Sequence, residues 1–538
     1  MKPSHWTPPS GESALIDTSV GDRLREVANE VPERIALIEG LVSPRTRRWT
    51  YATLLADTER CARYLLGRFE PGERIAVWAN DIPEWVILEY GAALAGLILV
   101  TINPSLKAEE ARYILAQSRT AGLFLVTQVR GNPLEAHAMA IRSELPELRS
   151  VSRLDLLAEL IAGAGGDEII LPVVGFDDPV QIQYTSGTTG FPKGVVLRHG
   201  GIVNNARSWT ERMELPDGIG WLQATPLFHT SGCVMNVLGA LDRRAKLVLM
   251  PSFDPGLFLE LIELEKLWFA GGVPTMLIAA MEHPDSSRRD LSSWRSTVSG
   301  GAPVPEALVR RIEDALGIDV MVTYGQTECS PVLTSTGPSD SAEDKGQTVG
   351  SPLAHTELRI VDPVSLQTVP LGVSGEVWAR GYFTMLGYFE DPEETAQTLL
   401  ADGWLRTGDV ATMDERGYCR IVGRLKDIII RGGENLFPVE IEDLLYQHPE
   451  VAEVAVVGLP DDHWGEVVGA FIRPRDPEVA PTITDLRTYV RAHLSAQKTP
   501  TKWYAVDGYP LTGSGKIQKF AIRQRWIRGE FAGLELDP

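Results

Sequence analysis

Between Val180 and Tyr324 short β-prone runs recur at intervals, VQIQYT, WLQAT, KLVLM, LWFAGGV, STVSGG and VMVTYG, with amphipathic helical stretches between several of them. Such alternation packs helices on the faces of a sheet whose strands run mostly parallel, with loops at the strand ends free to bind ligands. A largely parallel α/β sheet is therefore expected here. Upstream, the apolar run WVILEYGAALAGLILV, Trp85 to Val100, contains Glu89 and two glycines and falls short of a ~20-residue bilayer span. It reads as a buried helix leading into a strand, so no integral membrane segment is expected.

From Val349 to Ile430 the runs shorten (ELRIV, EVWARG, YCRIVGR, DIIIRGG) and turn residues separate them, which predicts a β subdomain over about 349–425. The chain then starts over. Pro438 opens a helix with Ile441, Leu444 and Leu445 at helical spacing, the strands VAEVAVVG and VVGAFIRP follow, and a further helix carries Leu486, Val490 and Leu494. At 538 residues the chain exceeds one hydrophobic core. The expected organisation is a large N-terminal α/β domain, 1–425, and a small mobile C-terminal α+β domain, 426–538, joined by a short hinge at Leu425 to Asp427.

The charge balance excludes some partners. Fifty-one Lys and Arg against 72 Asp and Glu give a net charge of -21, which opposes nucleic acid and anionic lipid surfaces. Cys61, Cys233, Cys329 and Cys419 are widely spaced, with no CxxC pair and no His at zinc-ligand spacing. With an N-terminus, MKPSHWTPPSGES, that lacks an apolar signal core, they fit a cytoplasmic protein. Nothing in the sequence specifies a homodimer, and nothing excludes one.

The stretch richest in chemistry is YTSGTTGFPKGV, Tyr184 to Val195. A strand ends there in hydroxyls (Thr185, Ser186, Thr188, Thr189), in glycines that allow close backbone approach (Gly187, Gly190, Gly194) and in one cation, Lys193. Together these suit a triphosphate. It is not the P-loop of kinases and GTPases, because Pro192 precedes the lysine and Gly194 follows it. A solvent-exposed Gly/Thr turn is the bland alternative.

This loop resembles the signature of the adenylate-forming superfamily, which includes acyl-CoA synthetases, luciferases and the adenylation domains of peptide synthetases, and further family-like motifs follow in order to Lys519. The resemblance implies the roles of the following residues. In Thr225-Pro226-Leu227-Phe228-His229, His229 borders the reacting acyl carboxylate. In Gly300-Gly301-Ala302-Pro303, main chain lies against the adenine ring. In Tyr324-Gly325-Gln326-Thr327-Glu328, Tyr324 and Gly325 border adenine, Thr327 approaches the α-phosphate, and Glu328, with Thr188 of the loop, holds Mg²⁺. In Arg406-Thr407-Gly408-Asp409, Asp409 receives both ribose hydroxyls. In Gly423-Arg424-Leu425-Lys426-Asp427, Arg424 reaches ribose or phosphates and Lys426 is the pivot, where Asp is commoner in the family. Gly432 and Gly433 line the thiol channel. In Pro510 to Lys519, Lys516 bridges the acyl carboxylate and the α-phosphate, as the joining of two anions requires.

The implied enzyme is an ATP- and Mg²⁺-dependent ligase that makes an acyl-adenylate and passes the acyl group to coenzyme A. Gly232, Cys233, Val234, Met235, Val332 and Leu333 suggest an apolar acyl pocket, and the segment Asp81 to Pro104 and the run QIQYTSGTTGFPKG resemble medium- or long-chain fatty acyl-CoA synthetases more than acetate enzymes, which implies a fatty acid. Aromatic, alicyclic or steroid-derived acids, a carrier-protein acceptor, luciferase-type oxygenation and a non-catalytic nucleotide sensor are the competing readings.

Overall fold

The computed structural model describes residues 2–12, 14–162, 169–185, 192–302, 304–476, 480–511 and 517–537. Among them the strands form four sheets, flanked by helices. A mixed α/β architecture with largely parallel sheets, as expected, holds the chain together.

The alternating stretch from Val180 to Tyr324 divides between two sheets rather than one. VQIQYT, as Pro179–Thr185, belongs to a seven-stranded sheet. There Gly387–Tyr388, Lys193–Arg198, Pro179–Thr185, Ile98–Thr101, Arg74–Trp78, Gly122–Leu125 and Ser150–Arg153 lie side by side, parallel from Pro179–Thr185 onward. The other runs enter a nine-stranded sheet in the order Ser351–Pro352, Val332–Ser335, Asp319–Gly325, Ser296–Gly300, Phe269–Ala270, Gly220–Gln223, Lys246–Leu249, Ile35–Glu39, Arg48–Thr50. Its middle six strands are parallel and its edges antiparallel. Periodicity reports that a run is a strand, but not which of two sheets receives it, because that depends on contacts distant in sequence.

The apolar run expected to be a buried helix forms Pro83–Leu94, with proline in its first turn, and leads into Ile98–Thr101. Every residue of that helix is buried. Glu89 within it accepts a 2.7 Å hydrogen bond from the amide of Gln181 in Pro179–Thr185. Trp221 and Phe269, on neighbouring strands of the nine-stranded sheet, have rings 4.5 Å apart and meet buried Trp209 of the helix His199–Arg212. Each such pair adds about 0.5–1.5 kcal/mol beyond the area it buries.

A third, five-stranded sheet is wholly antiparallel: His5–Trp6, Glu357–Val361, Gly375–Arg380, Leu405–Met413 and Cys419–Arg424. Two particulars differ from the sequence expectation. The polar N-terminus supplies an edge strand, and DIIIRGG lies elsewhere: Ile429–Arg431 pairs with Glu434–Leu436 and Gly465–Pro474 in the fourth sheet. That sheet adds Val451–Asp461 and Lys502–Ala505 and builds two apolar clusters entirely from residues between Ile429 and Leu536. Leu494 ends the helix Ile483–His493 instead of continuing it. Among the described residues no helix is long and apolar enough to cross a membrane, and all four cysteines are free and buried.

Candidate active site

Parallel strands bring the motifs to one edge. Gly300 pairs with Thr323 in neighbouring parallel strands, so Gly301 and Ala302, both exposed, leave the sheet beside Tyr324 and Gly325. Gly220–Gln223 runs the same way, and the loop with His229 emerges at that same end. This is where open α/β sheets bind ligands. Gly325 is required on steric grounds: a Cβ there would stand 1.9 Å from the Pro331 carbonyl oxygen.

The carboxylate of Asp409, with a side chain only 3% exposed, is the centre of one polar group. The Tyr324 hydroxyl donates to its Oδ2 at 2.8 Å and Arg424 Nε reaches its Oδ1 at 2.8 Å. Each carboxylate oxygen thus has a protein donor. The strand holds Asp409 through Glu376, which takes Arg406 at 3.0 Å and the Gly408 N–H at 3.2 Å. Asp409 in turn keeps the Arg424 guanidinium firmly charged, while burial and the neighbouring carboxylate hold the Tyr324 phenol in its protonated, donating form.

A second group surrounds Glu328, which is buried and accepts from the Tyr388 hydroxyl at 2.9 Å. Burial raises its pKa above the ordinary carboxylate value, opposed by the Tyr388 hydrogen bond and by Arg424. Lys193 pairs with Glu394 and lies 5.3 Å from the centre of the Tyr388 ring. Tyr388 therefore connects the loop cation to the buried carboxylate. It reaches this position because Gly387–Tyr388 pairs with Lys193–Arg198, the strand leaving the phosphate-type loop. A hard dication shared with phosphates fits this donor set: a buried carboxylate with no cation in contact among the described residues favours such an ion. Among the described residues no group of three or more His, Cys, Asp or Glu could hold a metal unaided.

His229 takes the Ser231 N–H at 3.2 Å and the Ser231 hydroxyl at 3.1 Å on Nδ1, so the neutral ring carries its proton on Nε2. The following segment, Ser231–Leu238, has wide π-type turns, a form common at functional sites. Cys233, Val234, Met235, Val332 and Leu333 are all buried. Thr327 is buried beside Glu328. Lys426 sits in a short turn, and partial burial and the Arg424 charge lower the pKa of its ammonium. Gly432 and Gly433, with φ of +60° and +86°, make the two-residue turn between Ile429–Arg431 and Glu434–Leu436, a turn that needs left-handed backbone at both positions. Ser186, Gly187, Thr188, Thr189, Gly190, Pro303 and Lys516 lie outside the described residues.

The structure adds residues that no sequence motif marks. Tyr388 and Glu394 stand in GYFEDPEET, whose only signal is an aromatic followed by acids. Asp81 is 8% exposed, and burial lifts its carboxyl pKa to about 8, opposed by its hydrogen bond from the Leu227 N–H at 3.0 Å. Below about pH 4 this carboxyl is protonated whether the chain is folded or not. From there to about 8 the unfolded chain releases a proton that the folded chain retains, so stability falls as pH rises through this window and then levels off. Asp81→Asn, of the same shape, is expected to raise the unfolding free energy by roughly 3–6 kcal/mol at pH 8 and by far less at pH 5. Denaturant titrations at the two pH values check this, and an equal effect at both would rule out a raised Asp81 pKa.

Comparison with known proteins gives the family. Residues 24–389 match the AMP-binding enzyme family and 440–516 match the AMP-binding enzyme C-terminal domain, and the chain belongs to this family. It is similar to a putative acyl-CoA synthetase of Bacillus subtilis, 38% identical over 95% of this chain and 98% of the relative. It is also similar to the mitochondrial medium-chain acyl-CoA ligase of Mus musculus, 37% identical over 96% of this chain and 88% of that one. Among solved structures, an anthranilate CoA ligase in complex with anthranoyl-AMP superposes with a TM-score of 0.85 at 29% identity, covering 95% and 98% of the two chains. Within the family, then, the chain stands with the AMP-forming acid–CoA ligases.

Proposed function

We propose that this protein joins a hydrophobic carboxylic acid, of the medium- or long-chain fatty type, to coenzyme A in two steps at one site. A carboxylate oxygen of the acid attacks the α-phosphorus of ATP, forming acyl-AMP and releasing pyrophosphate. The thiol of coenzyme A, losing its proton, then attacks the acyl carbon and releases AMP. The observation that carries this reading is the meeting of Lys193, Glu328, Asp409 and Arg424 through Tyr388 and Tyr324, from strands of three sheets.

The residues act by binding and by charge. Asp409 receives the ribose hydroxyls, its bonds from Tyr324 and Arg424 yielding or rearranging as the nucleotide enters. Gly301, Ala302, Pro303, Tyr324 and Gly325 border adenine. Lys193 exchanges Glu394 for phosphate oxygens, with Thr185, Ser186, Gly187, Thr188, Thr189 and Gly190 around them. Magnesium, when bound, neutralises phosphate charge; Glu328, helped by Thr188, would hold it. Thr327 faces the α-phosphate, and His229, a donor through Nε2 when neutral, borders the acid carboxylate. Lys516 stands between the two anions during adenylation, where a fixed cation lowers the barrier.

For the second step the small domain, 426–538, pivots at Lys426, withdraws Lys516 and brings the Gly432–Gly433 turn beside the incoming thiol. Domain boundary, pivot and thiol channel all belong to this proposal. The likeness to the medium-chain ligase of Mus musculus supports an aliphatic acid, and that to the anthranilate ligase supports an aromatic one.

The test is pyrophosphate release from Mg-ATP against acetate, medium- and long-chain fatty acids, benzoates and bulky alicyclic acids, with and without coenzyme A. Release restricted to the medium or long chains, with acyl-CoA formed only when coenzyme A is added, is expected. Release on benzoates alone would replace the aliphatic reading by the aromatic one. Acid-dependent release without thioester would transfer the acceptor role to a carrier protein, and ATP binding without any release would leave a nucleotide sensor.

A further inference from the structure

Two hydrogen bonds cross from the seven-stranded sheet to the loop bearing His229, and they hold it at consecutive residues. Asp81 Oδ1 accepts from the Leu227 N–H at 3.0 Å. The Thr101 hydroxyl donates to the Phe228 carbonyl at 2.7 Å, with Gln183 Oε1 at 3.0 Å from the same hydroxyl. Asp81 follows the end of Arg74–Trp78 and Thr101 ends Ile98–Thr101, while Gln183 lies in the parallel neighbour Pro179–Thr185, which leads into the phosphate-type loop. The Gln183 amide reaches Cys233 Sγ at 3.2 Å, and that sulfur is 3.5 Å from the His229 carbonyl. The strand leading into one loop and the backbone of the other thus share one buried seam.

Asp81 sits in this seam at a cost to stability, since its burial disfavours the ionised form. Acids retained against local energetics mark positions where placement matters.

We propose that Asp81 and Thr101 are positioning residues for adenylation, clamping the Pro226–His229 loop to the sheet that carries the phosphate loop and so setting the distance from acid carboxylate to α-phosphorus. The inference rests on the assignments of His229 and of the 185–193 loop made above. A loop has no ladder of its own to fix it, and without the clamp the buried Leu227 N–H and the Phe228 carbonyl lose their partners and the loop shifts. A displacement of about 1 Å is enough to lower the rate about a hundredfold.

The experiment compares Thr101→Val and Asp81→Leu with the conservative Thr101→Ser and Asp81→Asn. In Thr101→Val and Asp81→Leu, kcat/KM for the acid in pyrophosphate release is expected to fall about 10- to 100-fold with KM for Mg-ATP within about twofold, and Ser and Asn to restore most of it. Amide hydrogen exchange over residues 225–231 should quicken in the first pair. If Asp81→Leu does not fold, Thr101→Val carries the test. Acid and ATP parameters that move together, or no rescue by Ser and Asn, would overturn the clamp. Should the unmodified protein activate no acid, the proposed function fails while the clamp is still decided: faster exchange confined to 225–231 supports it, and unchanged exchange overturns it.

Discussion

Lys516→Ala should lower acid-dependent pyrophosphate release by about 10²- to 10³-fold while leaving ATP affinity within about threefold. Joining a carboxylate to a triphosphate forces two anions together, and charge accumulates on the oxygens between the acyl carbon and the α-phosphorus only as they approach. A cation placed there therefore stabilises the transition state more than either ground state, and its loss appears in kcat. Thioester formation from synthetic acyl-AMP should continue in the same variant, because the second step breaks the mixed anhydride with Lys516 withdrawn. If both half-reactions slow equally, the pivot reading is wrong. If ATP affinity collapses with kcat unchanged, Lys516 is a ground-state binding residue.

Asp409→Asn should raise KM for ATP by about one to two powers of ten. The carboxylate accepts from Tyr324 and from Arg424. Its amide replacement keeps one accepting oxygen and introduces a donor where only acceptance is wanted. Hydrogen bonds to a charged group contribute about 1.5–3 kcal/mol each, which sets the expected range. Arg424 also loses the counter-ion that raises its pKa. Substituting 2′-deoxy-ATP sharpens the test: the wild type should lose affinity for it, whereas the variant should scarcely distinguish it from ATP, since two changes at one contact are not additive. Full additivity would remove the ribose from Asp409.

Local pattern carried the sequence reading a long way. The strand that leads into YTSGTTGFPKGV, the buried helix at Pro83–Leu94, the Pro438–Tyr446 helix and the strands Val451–Asp461 and Gly465–Pro474 are each written in contiguous periodicity and punctuation. So is the family, because its chemistry is carried by short runs in which neighbouring residues surround one ligand group. Partners from distant segments were not legible. Tyr388 meets Glu328, 60 positions away, and Lys193 meets Glu394 only because an edge strand pairs with the strand leaving the loop.

By itself the sequence determined the α/β class, the order of the family-like motifs and, through their resemblance to the family, the reaction type, since each is carried by short stretches of chain. Only the tertiary structure decided that two sheets share those strands, that His5–Trp6 closes the edge of the antiparallel sheet, and that Asp81 and Thr101 grip the His229 loop. The physical reason is that a hydrogen bond between Thr101 and Phe228 depends on the relative placement of two sheets, which the packing of many side chains decides jointly and no local pattern records.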